Sequence, residues 1–395
     1  MKTLVACRAC GYPTLEPYAD LGVQPLANAL VSSNDRGRPL PEERYPLVLA
    51  HCPNCWLSQL TIVVDPDILY RTYHYVSGAS AQWVKHCEDL AGLLPCKKQF
   101  IVEIASNDGT LLRRLKDRGA SVLGVEPAMN LVAKYPPDLP YLPDYFTDKT
   151  ARWIKTRYGH ADAIVAQNVI GHVDNIRGFL KAIQIVLNRQ RGMAILEAPY
   201  LYAMLSKQEF PQVYHEHLSY WSLTPLLTVA RSVGLEVTSV KPVNVHGGSM
   251  RYYLRHAGQA VDYTVGRLLE HEADMQEMPQ LRESFDVPGS LASFEAALEK
   301  YRGKKVWGYG ASAKSTVLLN AAKNSDIISA VMDDHPGKQG KYVPGVHIPI
   351  IPPQDLSEVD ALVILAWNWE DAITARAEVA GFTGTFLVPF SKEVA

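Results

Sequence analysis

The segment QVYHEHLSYWS, residues 212–222, contains two histidines, a glutamate and two tyrosines, all of which can donate or accept protons in catalysis. Tyr214, Glu216 and His217 lie close together in it, and His215 stands among them. A histidine next to an acid can act as a general base, and a tyrosine hydroxyl can stabilise an oxyanion. Histidines and tyrosines are also common as hydrogen-bonded residues at the edge of a core, so this segment alone does not define a reaction.

Two C-x-x-C pairs flank a long insert near the N-terminus, in CRACG and CPNC. The four residues are Cys7, Cys10, Cys52 and Cys55. Four thiolates at this spacing predict a tetrahedral zinc site, and zinc would supply folding energy that a small, loop-rich module lacks. Because protein ligands fill all four positions, we expect the zinc to be structural. His51, next to Cys52, is an alternative ligand.

The stretch IVEIASNDG has the pattern of a strand, a turn and a helix start. The next strand, in VLGVEP, ends at Glu126, where a carboxylate can accept two ribose hydroxyls. This pattern resembles the cofactor site of Rossmann-like S-adenosylmethionine-dependent methyltransferases, except that Ala105 replaces their first glycine. The predicted cofactor-binding residues are Glu103, Ala105, Asn107, Asp108, Gly109, Glu126 and Asn168. The alternative is a plain strand, turn and helix without a ligand.

A second loop of the kind that binds nucleotides, GYGASAK, spans residues 308–314 and reads as G-x-G-x-x-A. Asp333 and Asp334 close the following strand about 20 residues on, as in a dinucleotide-binding fingerprint. This pattern makes an NAD-dependent enzyme, such as an epimerase or dehydrogenase, an alternative function. Lys314 at the predicted helix start suits a phosphate oxygen equally well, so the loop could instead hold the diphosphate of a nucleotide-linked substrate. Spacing alone does not separate the two.

These residues belong to a predicted α/β protein with several domains, because 395 residues exceed one ordinary core. Short buried-strand patterns alternate with helical patterns in the middle of the chain and again after KKVWGYG, which is typical of parallel sheets. We predict a zinc-binding domain over residues 1–68, a Rossmann-like methyltransferase domain over 69–235, and a second Rossmann-like α/β domain over 236–395.

The charge of the chain excludes some partners. With a net charge of -2 and 20% charged residues, the chain has no electrostatic footprint for nucleic acid or for an anionic membrane. Neither a signal peptide nor a membrane-spanning apolar run is present, so we expect a cytoplasmic protein with reduced cysteines. A nucleic-acid-binding zinc protein is an alternative, but no basic or aromatic residues accompany the cysteines in a way that supports it.

Nine motifs follow one another in the order found in one family: the zinc knuckles, YHYVSGAS, EIASNDG, NVIGHV, VYHEHLSY, HGGSMRYY, GYGASAKSTVLLN, HPGKQGKYVPGVHIPI and AWNW. Over essentially its whole length the chain resembles the sugar C-methyltransferases that act on nucleotide-linked 4-keto-deoxysugars in antibiotic sugar pathways. The resemblance implies S-adenosylmethionine as the methyl donor, and a second loop that cradles phosphate rather than NAD. The residues that it places in the sugar pocket are Tyr75, His172, Tyr214, Glu216 and His217, with Tyr73 as a second candidate beside Tyr75.

Methylation of a carbon next to a ketone requires loss of the α proton, which forms an enolate. We predict that His217 is the base and that Glu216 orients it. The sugar and its 4-oxygen are expected to contact Tyr214, His172 and Tyr75. The predicted substrate-binding residues are Gly310, Ser312, Lys314 and Ser249. The protein is expected to be a monomer, and the alternatives are a catalytic metal on the H-x-H pair and a non-sugar ketone as acceptor.

Overall fold

The computed structural model describes residues 1–34, 36–73, 76–133, 135–275 and 285–390. Tyr75, which was predicted to contact the sugar, lies outside the described residues. The strands are β1 (Lys2–Thr3), β2 (Glu16–Pro25), β3 (Arg44–His51), β4 (Ser58–Leu60), β5 (Ile62–Val63), β6 (Phe100–Ile104), β7 (Ser121–Val125), β8 (Tyr141–Leu142), β9 (Ala163–Gln167), β10 (Met193–Pro199), β11 (Ser219–Tyr220), β12 (Leu235–Val243), β13 (Ser249–His256), β14 (Val306–Tyr309), β15 (Ile328–Met332), β16 (Ile350–Ile351), β17 (Ala361–Ile364) and β18 (Thr385–Leu387).

The helices follow the strands in the alternation expected of an α/β protein. They are α1 (Pro66–Tyr70), α2 (Ala81–Leu93), α3 (Thr110–Asp117), α4 (Met129–Val132), α5 (Asp148–Tyr158), α6 (Ile176–Val186), α7 (Leu201–Ser206), α8 (Leu223–Ser232), α9 (Tyr263–Met275), α10 (Val287–Glu299), α11 (Ala313–Ala321) and α12 (Glu370–Val379). Short 3-10 helices cover Ser77–Ala79, Ile170–His172, Phe210–Gln212, Ser325–Ile327 and Trp367–Trp369. No helix among the described residues has the length and apolar composition needed to cross a lipid bilayer.

The chain divides into two compact units. The first unit consists of Met1–Glu16, His51–Leu201 and Leu218–Gln276. The second unit consists of Pro17–Ala50, Tyr202–His217 and Glu277–Ala395.

The first unit contains a seven-stranded sheet with the strand order β12-β13-β10-β9-β6-β7-β8. The chain runs outward from β6 through β7 to β8, then crosses to the other side of β6 for β9 and β10, and all five strands are parallel. The strand order therefore reverses between β6 and β9, and sheets of this kind bind ligands at the carboxyl ends of the strands beside such a reversal. The loop after β6 and Asn168 after β9 both lie there, which confirms the predicted Rossmann-like methyltransferase fold.

Helix α2 covers one face of this sheet. Trp83, Cys87 and Leu90 of the helix pack in one core with residues of β6, β9 and β10. Side chains alternate between the two faces of a strand, so Glu103 shares a face with the core residue Ile101, two positions earlier. The fold therefore brings a carboxyl group to the buried, carboxyl-terminal end of β6.

Strands β12 and β13 extend the same sheet. β13 pairs antiparallel with β10, and β12 pairs antiparallel with β13. The sequence analysis assigned residues 236–256 to the C-terminal domain; that boundary stays a prediction, while both strands pair with the central sheet in the structure. Edge pairing with β10 supplies hydrogen-bond partners for both strands, so they continue the central sheet.

The second unit contains a five-stranded parallel sheet with the order β16-β15-β14-β17-β18. The order reverses between β14 and β17, so the loop after β14 again lies at the place where ligands bind such sheets. This sheet confirms the predicted second Rossmann-like domain. Most of β2 and β3, from the insert between the cysteine pairs, also belongs to this unit, although the sequence analysis placed the whole insert in the zinc-binding domain.

Candidate active site and zinc centre

The two cysteine pairs form matching turns in the first unit. In the first turn, the N–H of Gly11 donates to the carbonyl oxygen of Cys7 over 2.9 Å, and in the second Trp56 N–H donates to the carbonyl oxygen of Cys52 over 2.9 Å. Gly11 and Trp56 each follow the second cysteine of a pair and have left-handed φ values of 76° and 65°. The turns thus present both thiols of each pair to one side.

The four sulfur atoms lie together as a metal site requires. Cys7 Sγ is 3.5 Å from Cys55 Sγ, and Cys10 Sγ is 3.6 Å from Cys52 Sγ. All four sulfurs lie within 4.8 Å of one another. A tetrahedron of thiolates around zinc places its sulfurs about 3.8 Å apart, so this donor set fits zinc. Among the described residues these cysteines are the one group of three or more such ligands close enough to hold a metal, and His51 is not part of it.

The loop after β6 has a strained backbone. Ala105 and Asn107 adopt left-handed φ values of 53° and 52°, and Gly109 has a φ of 79°. The left-handed conformation favours glycine at the position of Ala105, since alanine adopts it at a cost of about 1 kcal/mol. Such strain collects at ligand-binding loops.

Two buried glutamates end adjacent strands beside this loop. Glu103 is 7% exposed, and its Oε2 has no hydrogen-bond partner among the described residues. Burial, followed by the neighbouring carboxylates of Asp108 and Glu126, raises the pKa of Glu103 well above its ordinary value. A cationic ligand would satisfy Glu103 and reverse the like-charge repulsion. S-adenosylmethionine carries both a sulfonium and an ammonium, so the residues present fit this cofactor.

Glu126 helps to shape the loop after β6, residues 105–109, which is called the cofactor loop below. Its two carboxylate oxygens accept hydrogen bonds from the main-chain N–H groups of Asn107 and Ala128, each over 2.8 Å. Burial raises the pKa of Glu126, although these two hydrogen bonds oppose that shift. Each oxygen keeps a further lone pair, which is what a ribose hydroxyl needs.

A segment before α2 is fastened to the cofactor loop. Ser77 N–H donates to Asn107 Oδ1 over 2.9 Å, and Gly78 N–H donates to Asp108 Oδ2 over 2.8 Å. A Cβ on Gly78 would lie 2.6 Å from Asp108 Oδ2, so any other residue here would force the Asp108 carboxylate to shift. The sequence analysis missed this role of Ser77 and Gly78, although the motif YVSGAS was a signal that could have revealed it.

Three other predicted site residues lie at the carboxyl edge of the central sheet. Asn168 has a left-handed φ of 55°, and its N–H donates to the carbonyl oxygen of Glu197 over 2.8 Å. His172 follows β9, and its Nδ1 is 3.2 Å from the hydroxyl of Tyr70. Ser249 begins β13 and is buried, with its hydroxyl donating to Val245 O over 3.1 Å.

A buried charged cluster that sequence reasoning missed lies near the end of β10. Glu197 is 1% exposed, and its two oxygens contact His86 Nε2 at 2.6 Å and Arg251 Nε at 2.7 Å. Burial raises the pKa of Glu197, but His86 and Arg251 overcome this effect and hold the pKa below its ordinary value. The signal in the sequence was a single glutamate inside the apolar strand GMAILEAP.

In the second unit, His217 and Tyr214 form a dyad. The Nδ1 atom of His217 is 3.1 Å from the carbonyl oxygen of Gln212, and Nε2 is 2.7 Å from the hydroxyl of Tyr214. A carbonyl oxygen only accepts hydrogen bonds, so Nδ1 carries the hydrogen in the neutral ring. Nε2 is then the acceptor, and Tyr214 donates to it.

The neighbours of His217 have other contacts. Glu216 is 3% exposed and accepts a hydrogen bond from Asn28 Nδ2 over 2.6 Å. The group that holds Nδ1 of His217 is the carbonyl of Gln212, where the sequence analysis expected Glu216 to orient the ring. His215 is buried, with its Nε2 3.2 Å from Pro46 O, and burial lowers its pKa. His215 is therefore a neutral packing residue in this structure.

The loop after β14 begins helix α11. Ser312 caps the helix, since its hydroxyl accepts a hydrogen bond from Ser315 N–H over 3.2 Å. Gly310 has a φ of 103°, and a Cβ there would lie 2.5 Å from Ala366 Cβ, so its glycine is required by the neighbouring loop.

The acids at the end of β15 are already paired with cations. Asp333 Oδ2 is 2.9 Å from Lys338 Nζ and also accepts from Ala311 N–H over 2.9 Å. Asp334 pairs with Arg376 and accepts a hydrogen bond from the hydroxyl of Tyr309. In a dinucleotide site such an acid accepts ribose hydroxyls, and here the ammonium of Lys338 and the guanidinium of Arg376 already neutralise the two acids.

Lys314, at the start of α11, also has a carboxylate partner. Its Nζ is 3.2 Å from Glu209 Oε2 and lies 5.4 Å from the centre of the Trp367 ring. Burial lowers the pKa of Lys314, and the charge of Glu209 opposes that shift. The structure thus groups the predicted cofactor residues with His172 and Ser249 in the first unit, and Tyr214, Glu216, His217 and the α11 loop in the second.

Family comparisons cover the chain in three consecutive parts. A model described as "Putative zinc binding domain" matches residues 7–70, and one described as "Methyltransferase domain" matches residues 81–240. A third, described as "C-methyltransferase C-terminal domain", matches residues 244–390. The cysteine cluster, the cofactor loop and the α11 loop each fall within one of these ranges.

Among curated proteins, the C-methyltransferase NovU of Streptomyces niveus is similar to this chain. The two are 31% identical over 415 residues, covering 98% of this chain and 96% of NovU. Solved structures include the PH0226 protein of Pyrococcus horikoshii OT3, with 15% identity and a TM-score of 0.38 over 49% of this chain and 96% of that one. The magnesium protoporphyrin IX methyltransferase of Synechocystis PCC 6803, with bound SAH, has 12% identity and a TM-score of 0.36 over 44% and 83%.

Proposed function

The chain belongs to the S-adenosylmethionine-dependent C-methyltransferase family that includes NovU, and we propose that it methylates a carbon next to the keto group of a nucleotide-linked 4-keto-deoxysugar. S-adenosylmethionine, when bound, supplies an electrophilic methyl group. The chain's own residues must then make the acceptor carbon nucleophilic. A zinc ion held by Cys7, Cys10, Cys52 and Cys55 would have all four positions filled by thiolates, so it would serve a structural role.

The observation that carries this proposal is the hydrogen-bonded dyad of Tyr214 and His217. A ketone acquires a nucleophilic carbon when a base removes its α proton, and a histidine has the pKa range for this step near neutral pH. The main-chain carbonyl oxygen of Gln212 accepts a hydrogen bond from Nδ1–H of His217, which leaves the lone pair on Nε2 as the basic site of the ring. His217 is therefore the proposed base.

Tyr214 is the proposed donor to the oxygen on which negative charge develops. With the ring hydrogen of His217 on Nδ1, the Tyr214 hydroxyl is the donor to Nε2 of His217, 2.7 Å away. In the proposed reaction the hydroxyl hydrogen turns toward the 4-oxygen of the sugar, and the turn frees Nε2 to accept the α proton. One rotation of a hydroxyl thus prepares both the base and the oxyanion contact.

The nucleotide part of the substrate is proposed to bind the loop after β14. Gly310, Ser312 and Lys314 stand at the carboxyl edge of a parallel sheet, beside the reversal of strand order and at the N-terminus of α11. Main-chain N–H groups and an ammonium are suitable partners for a diphosphate. His172 and Ser249, at the carboxyl edge of the central sheet, are each proposed to contact the substrate.

The test is turnover of a defined panel of acceptors with S-adenosylmethionine. We expect nucleotide-linked 4-keto-deoxysugars to gain one methyl group by mass spectrometry, and the same sugars without the nucleotide to react poorly. Methylation of a non-sugar ketone, with every nucleotide-linked ketosugar left unchanged, would assign the enzyme a different acceptor class.

A further inference from the structure

A chain of contacts in the second unit runs from Lys314 to His217. Lys314 Nζ is 3.2 Å from Glu209 Oε2, and Gln212 Nε2 donates to that same oxygen over 2.5 Å. The main-chain carbonyl oxygen of the same residue, Gln212, then accepts a hydrogen bond from Nδ1 of His217 over 3.1 Å. Glu209 therefore connects the ammonium at the start of α11 with the residue that determines the tautomer of His217.

This connection is buried and closely packed. Glu209 and Gln212 are each 3% exposed, and the side chain of Lys314 is 19% exposed. The short 3-10 helix Phe210–Gln212 packs against α11, and the Trp367 ring lies under the ammonium. A buried carboxylate with an ammonium on one side and an amide on the other has few alternative positions. The position of the Glu209 carboxylate therefore restricts the position of Gln212.

We propose that Glu209 is a positioning residue for the base: paired with Lys314, it holds Gln212 so that His217 keeps its hydrogen on Nδ1 and its lone pair on Nε2. The inference rests on the proposed function in taking His217 as the base. In this inference Lys314 also helps to position His217, through its ion pair with Glu209, in addition to any contact with phosphate. A substrate diphosphate that contacts this ammonium would then be linked to the base by the same carboxylate.

The ring of His217 reports directly on this arrangement. In protein carrying 15N-labelled histidine, long-range proton–nitrogen correlation spectra distinguish the Nδ1–H tautomer from the Nε2–H tautomer, and His217→Asn identifies the signal of His217. We expect the parent protein to show the Nδ1–H tautomer. Glu209→Gln and Lys314→Met should each convert it to a mixture and lower kcat, while Lys314→Arg, which keeps the pair, should retain it.

Two further variants separate positioning from general damage to the fold. Gln212→Met removes the amide but leaves the Lys314–Glu209 pair in place, and it should also disturb the tautomer. Arg376→Ala breaks a different ion pair of the same unit, with Asp334, and should leave the His217 signal unchanged. In the double variant Glu209→Gln/Lys314→Met, kcat should fall no further than in the worse single variant, because both changes break one connection.

An unchanged His217 signal in Glu209→Gln, Lys314→Met and Gln212→Met would overturn the inference. So would a Lys314→Met variant that raises KM for the acceptor and leaves both the tautomer and kcat intact. The spectra are recorded on free protein, so they are independent of the acceptor. If the tautomer shifts as expected but no nucleotide-linked ketosugar is methylated, the proposed function fails and the positioning role stands.

Discussion

The phenol oxygen of Tyr214 lies 2.7 Å from Nε2 of His217, and the two rings are 4.0 Å apart between their centres. The carbonyl of Gln212 on the opposite nitrogen fixes the direction of this hydrogen bond, with Tyr214 as donor. In the proposed mechanism this contact gives His217 a defined lone pair for the base and gives Tyr214 a hydroxyl that can turn to a substrate oxygen.

Exchange of the substrate α hydrogen tests the roles within this dyad. In heavy water, enzyme with acceptor and a cofactor analogue should replace that hydrogen by deuterium, because in the proposed mechanism proton removal precedes methyl transfer. His217→Asn should abolish exchange and methylation but leave the Kd for S-adenosylmethionine near the parent value. Tyr214→Phe should lower kcat by about 100-fold, the effect of losing one oxyanion donor. Full exchange in His217→Asn would move the base to another residue.

Replacement of Glu126 by glutamine should weaken the binding of S-adenosylmethionine. The change removes a charged, buried acceptor, and hydrogen bonds to charged groups contribute about 1.5–3 kcal/mol, so calorimetry should show a Kd about 10- to 100-fold higher. Asp138→Asn is the matched control, because Asp138 is an exposed, ion-paired acid of the same unit. Equal affinity in Glu126→Gln and the parent would place the ribose elsewhere.

Glu103 should make the free protein's stability depend on pH. Its pKa in the folded protein is raised by burial, so between the unfolded value near 4.3 and the folded value the native state holds more protons than the unfolded chain. Its contribution to stability is therefore lost as pH rises through this window. Glu103→Gln, which is neutral at every pH, should raise Tm relative to the parent at pH 8, with the difference shrinking toward pH 5.

Binding of the cofactor should show the opposite dependence. A cation beside Glu103 favours the ionised carboxylate, so the parent should bind S-adenosylmethionine more tightly as pH rises through the raised pKa of the free protein. Calorimetry in two buffers of different ionisation enthalpy should detect proton release on binding. Glu103→Gln should bind more weakly and without this release. Identical proton release in the parent and in Glu103→Gln would exclude Glu103 as its source.

Elemental analysis should find one zinc per chain, and Cys7→Ser or Cys52→Ser should lose it. A structural zinc site contributes directly to folding, so chelation or either substitution should lower Tm. Cys96→Ser is the control, because Cys96 is buried in the same unit but lies outside the cluster of sulfurs. If Cys96→Ser loses zinc as readily as Cys7→Ser, the metal is held elsewhere or the loss reflects unfolding.

Two glycines before β6 should respond differently to alanine. Gly78→Ala places a Cβ 2.6 Å from the Asp108 carboxylate, so it should displace the cofactor loop and raise the Kd for S-adenosylmethionine by about 10-fold or more, on the order of one lost hydrogen bond. Gly92 lies inside α2, and a methyl group added there would meet no atom within 4 Å, so Gly92→Ala should be stabilising by about 0.5–1 kcal/mol. Unchanged affinity in Gly78→Ala would show that the contact with Asp108 is dispensable.

Local sequence was sufficient to predict the cysteine cluster, the loops after β6 and β14 and the α/β class. Each of these features depends on residues that are close together in the chain. Examples are the two cysteines of one turn, and the residues of the strand, turn and helix around Gly109. Their spacing reflects backbone geometry that the neighbouring residues themselves impose. Of the predicted pocket residues, Tyr75 lies outside the described part of the chain, so its placement stays a prediction.

Tertiary structure decided the features that depend on distant partners. The sequence of β12 and β13 indicates strands, but only pairing with β10 makes them part of the central sheet. Lys314 was recognised as a cation at a helix start, and its pairing with Glu209 depends on a segment more than a hundred residues earlier. The contacts of Ser77 with Asn107 and of Gln212 with His217 run through main-chain atoms, which every residue type possesses. The sequence by itself therefore determined which chemical groups are available. The tertiary structure determined which main-chain and side-chain partners hold those groups in place, because these partners are distant in the chain.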